Sequence, residues 1–406
     1  MAAAREFELV LWGATGFTGQ LVAEYLVRHH PDTRLALAGR SREKLERVRA
    51  ELAGLVPAAA ELPLLVGDSF DRASLDAITS RAQVVISTVG PYAQYGEALV
   101  ASCVANGTDY CDLTGESHFI RRMIDAHQSE AERTGARIVH CCGFDSIPSD
   151  LGTLMMQEEA RARFGEPLAE VRFYAGETKG GASGGTIASM MNMLDEAKDP
   201  KVRRVLGDPY ALNPEGERSG PDGSDRMGVR YDRDLGMWVG PFVMAAINTR
   251  VVRRSNALLD YAYGRKFSYS EEMSFGAGPR GLARATAVAG ALGAFVAGVS
   301  VAPLRKLMQK TILPDPGEGP TREQREAGYF VVRLVGKTAD GRELRGRVEG
   351  VNDPGYGETA KMLSESALCL ARDGVEAPGG IRTPASTMGM TLVERLRGAG
   401  MTFQVA

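Results

Sequence analysis

Three glycines narrow the fold more than any other feature of this chain. Gly13, Gly16 and Gly19 stand three apart, between an apolar run at 7–12 and an amphipathic run at 18–28. The first run reads as a short buried strand, the second as a helix with Leu21, Val22, Tyr25 and Leu26 on one face. Glycine at such a turn permits backbone angles closed to other residues. Gly13 is expected to make the tight turn, Gly16 to let a pyrophosphate approach the main chain, and Gly19 to let helix and strand pack closely. The phosphates would meet the free N–H groups at the helix start, where the dipole favours an anion. The whole stretch Gly13, Ala14, Thr15, Gly16, Phe17, Thr18 and Gly19 is therefore a candidate nucleotide-binding turn. A glycine-rich turn with no ligand is the alternative, and the strand-to-helix context argues against it.

The next predicted strand, 34–38, sharpens the choice of nucleotide. An NAD site places a carboxylate after this strand, about 20 residues past the glycines, to hold the ribose 2′-hydroxyl. This chain places Arg40 there, with Ser41 beside it and Arg42 and Lys44 close behind. A guanidinium can fork a 2′-phosphate that a carboxylate would repel. The expected cofactor is NADP(H), held by Arg40 and Ser41. Arg42 and Lys44 read equally well as a solvated helix start.

Strands at 63–66, 83–88 and 136–141 alternate with helical stretches such as 96–106. This pattern predicts a Rossmann-like, doubly wound parallel sheet over residues 1–150. Ligands bind at the carboxyl ends of such strands. Asp68 is then expected near the adenine, and Thr88, Val89, Gly90 and Pro91 beside the nicotinamide. After Asp150 the character changes. Strand-like runs at 169–175, 237–253 and 328–349, with polar loops between them, predict an α+β substrate domain over 151–350 with an antiparallel sheet. Residues 351–406 read as helices packing back on the first domain.

Residues 285–304 contain no charged side chain, while Arg280 and Arg284 precede them and Arg305, Lys306 and Lys310 follow. Twenty such residues could span a bilayer, but Ala and Gly dominate and Pro303 would end a helix early. A buried hairpin or subunit contact competes with an interfacial patch docking on membrane or lipid; a span is the weakest reading. The net charge of −3 leaves no field that would draw nucleic acid. Five cysteines without CxxC spacing, and a first strand beginning near Phe7 with no signal-peptide chemistry before it, predict reduced thiols and a cytoplasmic protein, peripheral at the plasma membrane if the apolar segment docks. The five histidines lack metal-ligand spacing, so no metal is expected.

In order, "GATGFTG" (13–19), "LALAGRS" (35–41), "STVGPYAQYG" (87–96), "GTDYCDLTGE" (107–116), "GARIVHCCGFDSIPSD" (135–150), "NTRVVRRSNAL" (248–258), "YGRKFSYSE" (263–271) and "TPASTMG" (383–389) resemble the saccharopine dehydrogenase-like superfamily. Within it they resemble the trans-acting enoyl reductases of phthiocerol and phenolphthiocerol lipid assembly. The resemblance runs nearly end to end. It implies a flavin-free, NADPH-dependent reduction of a carbon–carbon double bond in a long acyl or polyketide intermediate, carried on a thioester. Hydride would reach the β-carbon, the enolate would need an oxyanion donor, and the α-carbon a proton. Candidate catalytic residues are Tyr92 and Tyr95, just past the nicotinamide loop, and Asp145 after the last strand. For the tyrosines, structural packing is an equal alternative; for Asp145, capping the following helix. Asp112, Thr114, Glu116 and Ser146 line neighbouring loops. An amino-acid oxidoreductase of the saccharopine dehydrogenase kind remains open, with Arg253 and Arg254 as candidate carboxylate binders or surface charges. So does a non-catalytic nucleotide- or lipid-binding protein. Expected partners are the acyl substrate, a membrane or lipid surface through 285–304, and a second copy of the chain.

Overall fold

Strand β1 (Phe7–Trp12) is buried at every position but Glu8, which only a strand covered on both faces requires. A computed structural model of the protein describes residues 5–180, 189, 191–193, 195–300 and 319–406. The chain divides into two compact units: Met1–Ile147 with Gly355–Ala399, and Pro148–Pro354 with Gly400–Ala406.

In the first unit β1 is joined by β2 (Leu35–Gly39), β3 (Leu64–Val66), β4 (Ala82–Ser87), β5 (Asp109–Asp112), β6 (Arg137–Val139) and a late strand, β13 (Gly380–Arg382). All pairings are parallel and the order is β3-β2-β1-β4-β5-β6-β13. The strand order reverses between β1 and β4, which is where a doubly wound sheet opens a crevice. Helix α1 (Phe17–His29) follows β1, and α2 (Arg42–Leu55) follows β2. A late helix, Thr359–Arg372, packs beside α1 and against β1, β4 and β5, with every residue from Thr359 to Leu370 buried. Its last residue, Arg372, pairs with Glu8 at the amino end of β1 (2.5 Å). Its first, Thr359, accepts a hydrogen bond from Phe144 N beyond the carboxyl end of β6 (3.2 Å). The helix therefore runs opposite to the strands and brings its N-terminus to their carboxyl edge.

The second unit holds a seven-stranded sheet ordered β14-β12-β11-β7-β10-β9-β8, built from β7 (Glu170–Lys179), β8 (Arg230–Asp232), β9 (Met237–Gly240), β10 (Ser268–Ser274), β11 (Tyr329–Lys337), β12 (Glu343–Gly350) and β14 (Thr402–Val405). It is mixed rather than antiparallel throughout, because β7 and β10 pair in parallel. The strand reading of 237–253 holds only for β9; Ala245–Leu258 is a helix. Ile247 and Val251 stand four apart and are buried on one face, so helical packing overrides the β-branched content.

Arg253 and Arg254 on that helix are not surface charges; both are buried. Arg253 pairs with Asp222 (2.7 Å) and donates to the Pro209 carbonyl, while Arg254 donates to the Leu212 carbonyl and Arg250 pairs with Asp225. Together they pin the long loop between Asp208 and Arg226. Nearby Glu271 is 1 % exposed and accepts from Tyr269 Oη (2.8 Å) and Asn248 Nδ2 (2.9 Å). Burial pushes its carboxyl up to about 7.

Helix Gly278–Ser300 carries most of the uncharged stretch; 301–304 lie outside the described residues. Its first two turns are seated on the unit. A Cβ at Gly281 would lie 2.1 Å from the Gly276 carbonyl oxygen, and Ala285 is fully buried. Beyond Ala285 the helix is not core. Thr286, Ala287, Val288, Gly290, Ala291, Gly293, Ala294 and Ala297 are all exposed. The expectation of a buried hairpin therefore fails over the described part of this segment.

Candidate functional site

The turn after β1 is shaped by what its glycines exclude. Gly13 has φ +90°, and a Cβ there would lie 2.6 Å from Val89 Cγ2 and 2.8 Å from Thr88 Oγ1. A Cβ on Gly19 would sit 2.1 Å from the Gly13 carbonyl oxygen, so this glycine lets α1 close on the turn. Gly16 differs from both. It is exposed, and a Cβ there would meet nothing nearer than 3.5 Å. It is the N-cap of α1 and no side chain caps the helix. The open space over Gly16 thus faces uncapped N–H groups, the arrangement an anion requires. Ala14 is buried and donates its N–H to the Ala38 carbonyl (3.2 Å), fastening the turn to β2. Thr15 and Thr18 are half-buried, and Phe17 opens α1.

At the end of β2, Arg40 is exposed and makes no hydrogen bond or ion pair among the described residues. Ser41 is instead committed: its hydroxyl caps α2 by accepting from Lys44 N (3.3 Å). Asp68, after β3, uses Oδ1 to accept from Phe70 N (2.9 Å), which shapes the turn into helix α3 (Arg72–Thr79). Phe70 is 72 % exposed and meets the ring of Tyr95 at 5.7 Å between centroids.

The loop after β4 leans on the glycine turn. Thr88 Oγ1 donates to the Trp12 and Gly13 carbonyls (3.3 and 3.2 Å), so its hydroxyl holds the turn in place. Val89 packs over Gly13, and Gly90 and Pro91 lead into the short helix α4 (Tyr92–Tyr95). Buried Glu116 caps α4, accepting from Tyr92 N (2.9 Å) and Ala93 N (2.8 Å). For Tyr92 the geometry favours the packing alternative. Its side chain is 3 % exposed, its hydroxyl donates to the Ser87 carbonyl (3.0 Å), and burial pushes its pKa well up. Tyr92 locks β4 to α4. Tyr95 is half-buried against Phe70.

Asp112 is fully buried and accepts from Tyr110 Oη (3.0 Å), Thr114 N (3.0 Å) and Cys141 N (3.3 Å), with His140 Nδ1 at 2.7 Å. It ties the ends of β5 and β6 together, and Cys141 and Cys142 are buried beside it, the Cys141 thiol donating to the Thr114 carbonyl (3.1 Å). Asp145 has no such company. It is half-buried, with no hydrogen bond or ion pair among the described residues, and desolvation alone pushes its carboxyl up to about 6. It sits next to Phe144, whose N–H is held by Thr359.

That contact reveals a wall the sequence reading missed. The turn Pro354–Glu358 is a π-helical turn leading into Thr359–Arg372, and Tyr356 meets Phe17 edge to face at 4.8 Å. Its signal is the pair of glycines in Gly355-Tyr356-Gly357, which lies inside the 351–406 stretch that reads as helices. The edge of the first sheet is thus lined by the α1 N-terminus, the loops after β4, β5 and β6, and the start of a second helix.

Residues 9–139 match the saccharopine dehydrogenase NADP-binding domain. A Mycobacterium tuberculosis protein with the provisional name trans-acting enoyl reductase is 45 % identical over 99 % of this chain and 98 % of its own length. A trans-acting enoyl reductase of Mycobacterium ulcerans is 42 % identical over 98 % of each chain. The chain belongs to the trans-acting enoyl reductase family. Within that family it is an NADP-dependent oxidoreductase, and the domain match covers the glycine turn, Arg40, Asp68 and the loop after β4. Among solved structures, apo saccharopine dehydrogenase from Saccharomyces cerevisiae aligns over 98 % of this chain and 99 % of its own, with TM-score 0.53 and 13 % identity, a likeness of fold.

Proposed function

We propose that the protein is an NADPH-dependent enoyl reductase. It would act in trans on a long acyl or polyketide intermediate of the phthiocerol or phenolphthiocerol kind, presented as a carrier-bound thioester. The observation that carries this reading is the end-to-end likeness to proteins named trans-acting enoyl reductase. The residues of the first unit fit the nucleotide. Gly16 leaves room for a pyrophosphate over uncapped N–H groups, and Arg40 offers an uncommitted guanidinium for a 2′-phosphate. When bound, NADPH supplies the hydride that reaches the β-carbon of the substrate.

The chain's own residues must then hold the nucleotide, exclude water and protonate the α-carbon. Asp145 suits the last role better than the tyrosines. A carboxyl at about 6 keeps a protonated fraction near neutrality, and no partner competes for its proton. Tyr92 is committed to Ser87; Tyr95 remains available beside Phe70 to orient a ring or carbonyl.

The amino-acid oxidoreductase reading loses its candidate carboxylate binders, since Arg253 and Arg254 are spent on Asp222 and on backbone carbonyls. The deciding experiment follows NADPH oxidation with 2-enoyl thioesters of increasing chain length and, separately, with 2-oxo acids plus amines, and follows NADP+ reduction with saccharopine. Turnover of enoyl thioesters alone is expected. Turnover of the amino-acid substrates instead would overturn the proposal, and binding without turnover of either would leave a nucleotide-binding protein.

A further inference from the structure

The helix Gly278–Ser300 is the most unusual surface of the molecule. Between Glu272 and Asp315 the sequence has no carboxylate at all, although the whole chain carries a net negative charge. Five bases occupy that interval: Arg280, Arg284, Arg305, Lys306 and Lys310. From Ala285 to Ser300 the helix has no charged residue; Ala289, Leu292 and Phe295 are half-buried in one row with buried Ala285, while Thr286, Ala287, Val288, Gly290, Ala291, Gly293 and Ala294 are exposed. Val288 is 37 % exposed and Leu282 39 %. A helix made for a groove in another protein shows an apolar stripe and a polar back. This one has no polar back.

The base of the helix carries a second feature. Trp238 on β9 approaches Gly281 closely enough that a Cβ there would lie 3.2 Å from its ring. Tyr231 on β8 is 47 % exposed and meets Trp238 at 5.5 Å. Arg280 and Arg284 are exposed on the same first two turns. Paired aromatic rings and arginines at one end of an uncharged helix are the residues that settle at the headgroup level of a bilayer.

We propose that this helix docks the protein on an anionic lipid surface, with Tyr231, Trp238, Arg280 and Arg284 at the headgroups and the Ala285–Ser300 stretch in the acyl boundary. The helix does not cross. Sixteen residues at 1.5 Å per residue reach about 24 Å, short of the roughly 30 Å hydrocarbon core, and no helix among the described residues is long and apolar enough to span. The absence of carboxylates fixes the preference for negative headgroups, each base adding attraction that salt screens. The inference rests on the second unit alone and is independent of the proposed reaction.

The test floats the full chain with vesicles of phosphatidylcholine alone or mixed with phosphatidylglycerol. Flotation with the anionic vesicles is expected, weakening as salt rises. Leu292→Asp with Phe295→Asp should reduce the bound fraction about tenfold. Arg280→Glu with Arg284→Glu should abolish the preference for anionic vesicles. Both variants should keep wild-type circular dichroism and NADPH affinity, which excludes misfolding. The chain has two tryptophans and Trp12 is buried, so a blue shift of emission on vesicles reports Trp238. Wild type remaining at the bottom of the gradient with both compositions overturns the proposal. So does flotation with no change in emission, or a dimer that the Leu292→Asp, Phe295→Asp variant turns into monomer while vesicle binding is unaltered; the last result would make the helix a subunit contact.

Discussion

Phe17 and Tyr356 meet edge to face with their centroids 4.8 Å apart, although one opens the first helix and the other precedes the last long one. The contact brings the start of the Thr359–Arg372 helix to the glycine turn. Aromatic pairs of this geometry are worth about 0.5–1.5 kcal/mol beyond their buried area. A double-mutant cycle of Phe17→Leu and Tyr356→Leu should return a coupling in that range by denaturant melts. NADPH affinity should fall in both single variants. Strict additivity in stability and unchanged affinity would show that the two rings touch without consequence.

Cofactor choice should follow Arg40. The wild-type protein should bind NADPH more tightly than NADH, and Arg40→Asp should narrow or reverse the ratio. Hydrogen bonds to a charged group are worth about 1.5–3 kcal/mol, so a loss of at least tenfold for NADPH is expected by calorimetry. Equal affinity of the wild type for both nucleotides would remove the assignment.

The glycines should separate by role. Gly16→Val should abolish nucleotide binding and leave a cooperative melt, because its side chain enters open space over the α1 N-terminus. Gly19→Ala should lower the melting temperature instead, since its Cβ collides with the Gly13 carbonyl. The reverse pattern would place the nucleotide elsewhere.

Asp145→Asn should lower kcat and remove a limb of the pH profile. With the carboxyl at about 6, the protonated form that delivers a proton disappears as pH rises through that value, so wild-type kcat should fall on the alkaline side. Tyr92→Phe should keep most activity and lose about 1 kcal/mol of stability, the worth of one buried hydrogen bond. Inactive Tyr92→Phe with active Asp145→Asn would exchange their roles.

Stability should decline from acid toward neutral pH because of Glu271. Its carboxyl ordinarily titrates at 4.5 and is raised to about 7 in the folded chain, so the folded state holds a proton that the unfolded state has released. This contribution is full below about 4.5 and is lost as pH rises through 7. Urea melts between pH 5 and 8 should show that slope in the wild type and a flatter one in Glu271→Gln.

Much of the first unit was legible because its strands are continuous apolar runs ended by glycine or a polar turn. Phe7–Trp12 was read to the residue. What escaped was short or tertiary. β13 is three residues long, Gly380–Arg382, with no apolar run to betray it. Its place comes from pairing with β6. Ala245–Leu258 hid behind Val251, Val252 and three arginines, a composition that suits a strand edge until the partners Asp222 and Asp225 are known. The geometry of Gly13, Gly16 and Gly19 separates them into a turn, an opening and a close approach, a distinction that spacing alone suggests. The commitment of Tyr92 to packing depends on a hydrogen bond to Ser87, which no periodicity encodes.

The pairing of β13 with β6, and of β14 with β12, bears on how the chain is made. The first sheet lacks its outer strand until Gly380–Arg382 has been synthesised, and the second lacks its own until Thr402–Val405 follows. Neither half can complete itself on the ribosome while the other waits. The edge at β6 stays unfinished through more than half of translation, and contacts this distant in sequence form slowly. A cell producing this protein therefore has reason to shield the emerging chain, and overexpression should reward slow synthesis at low temperature.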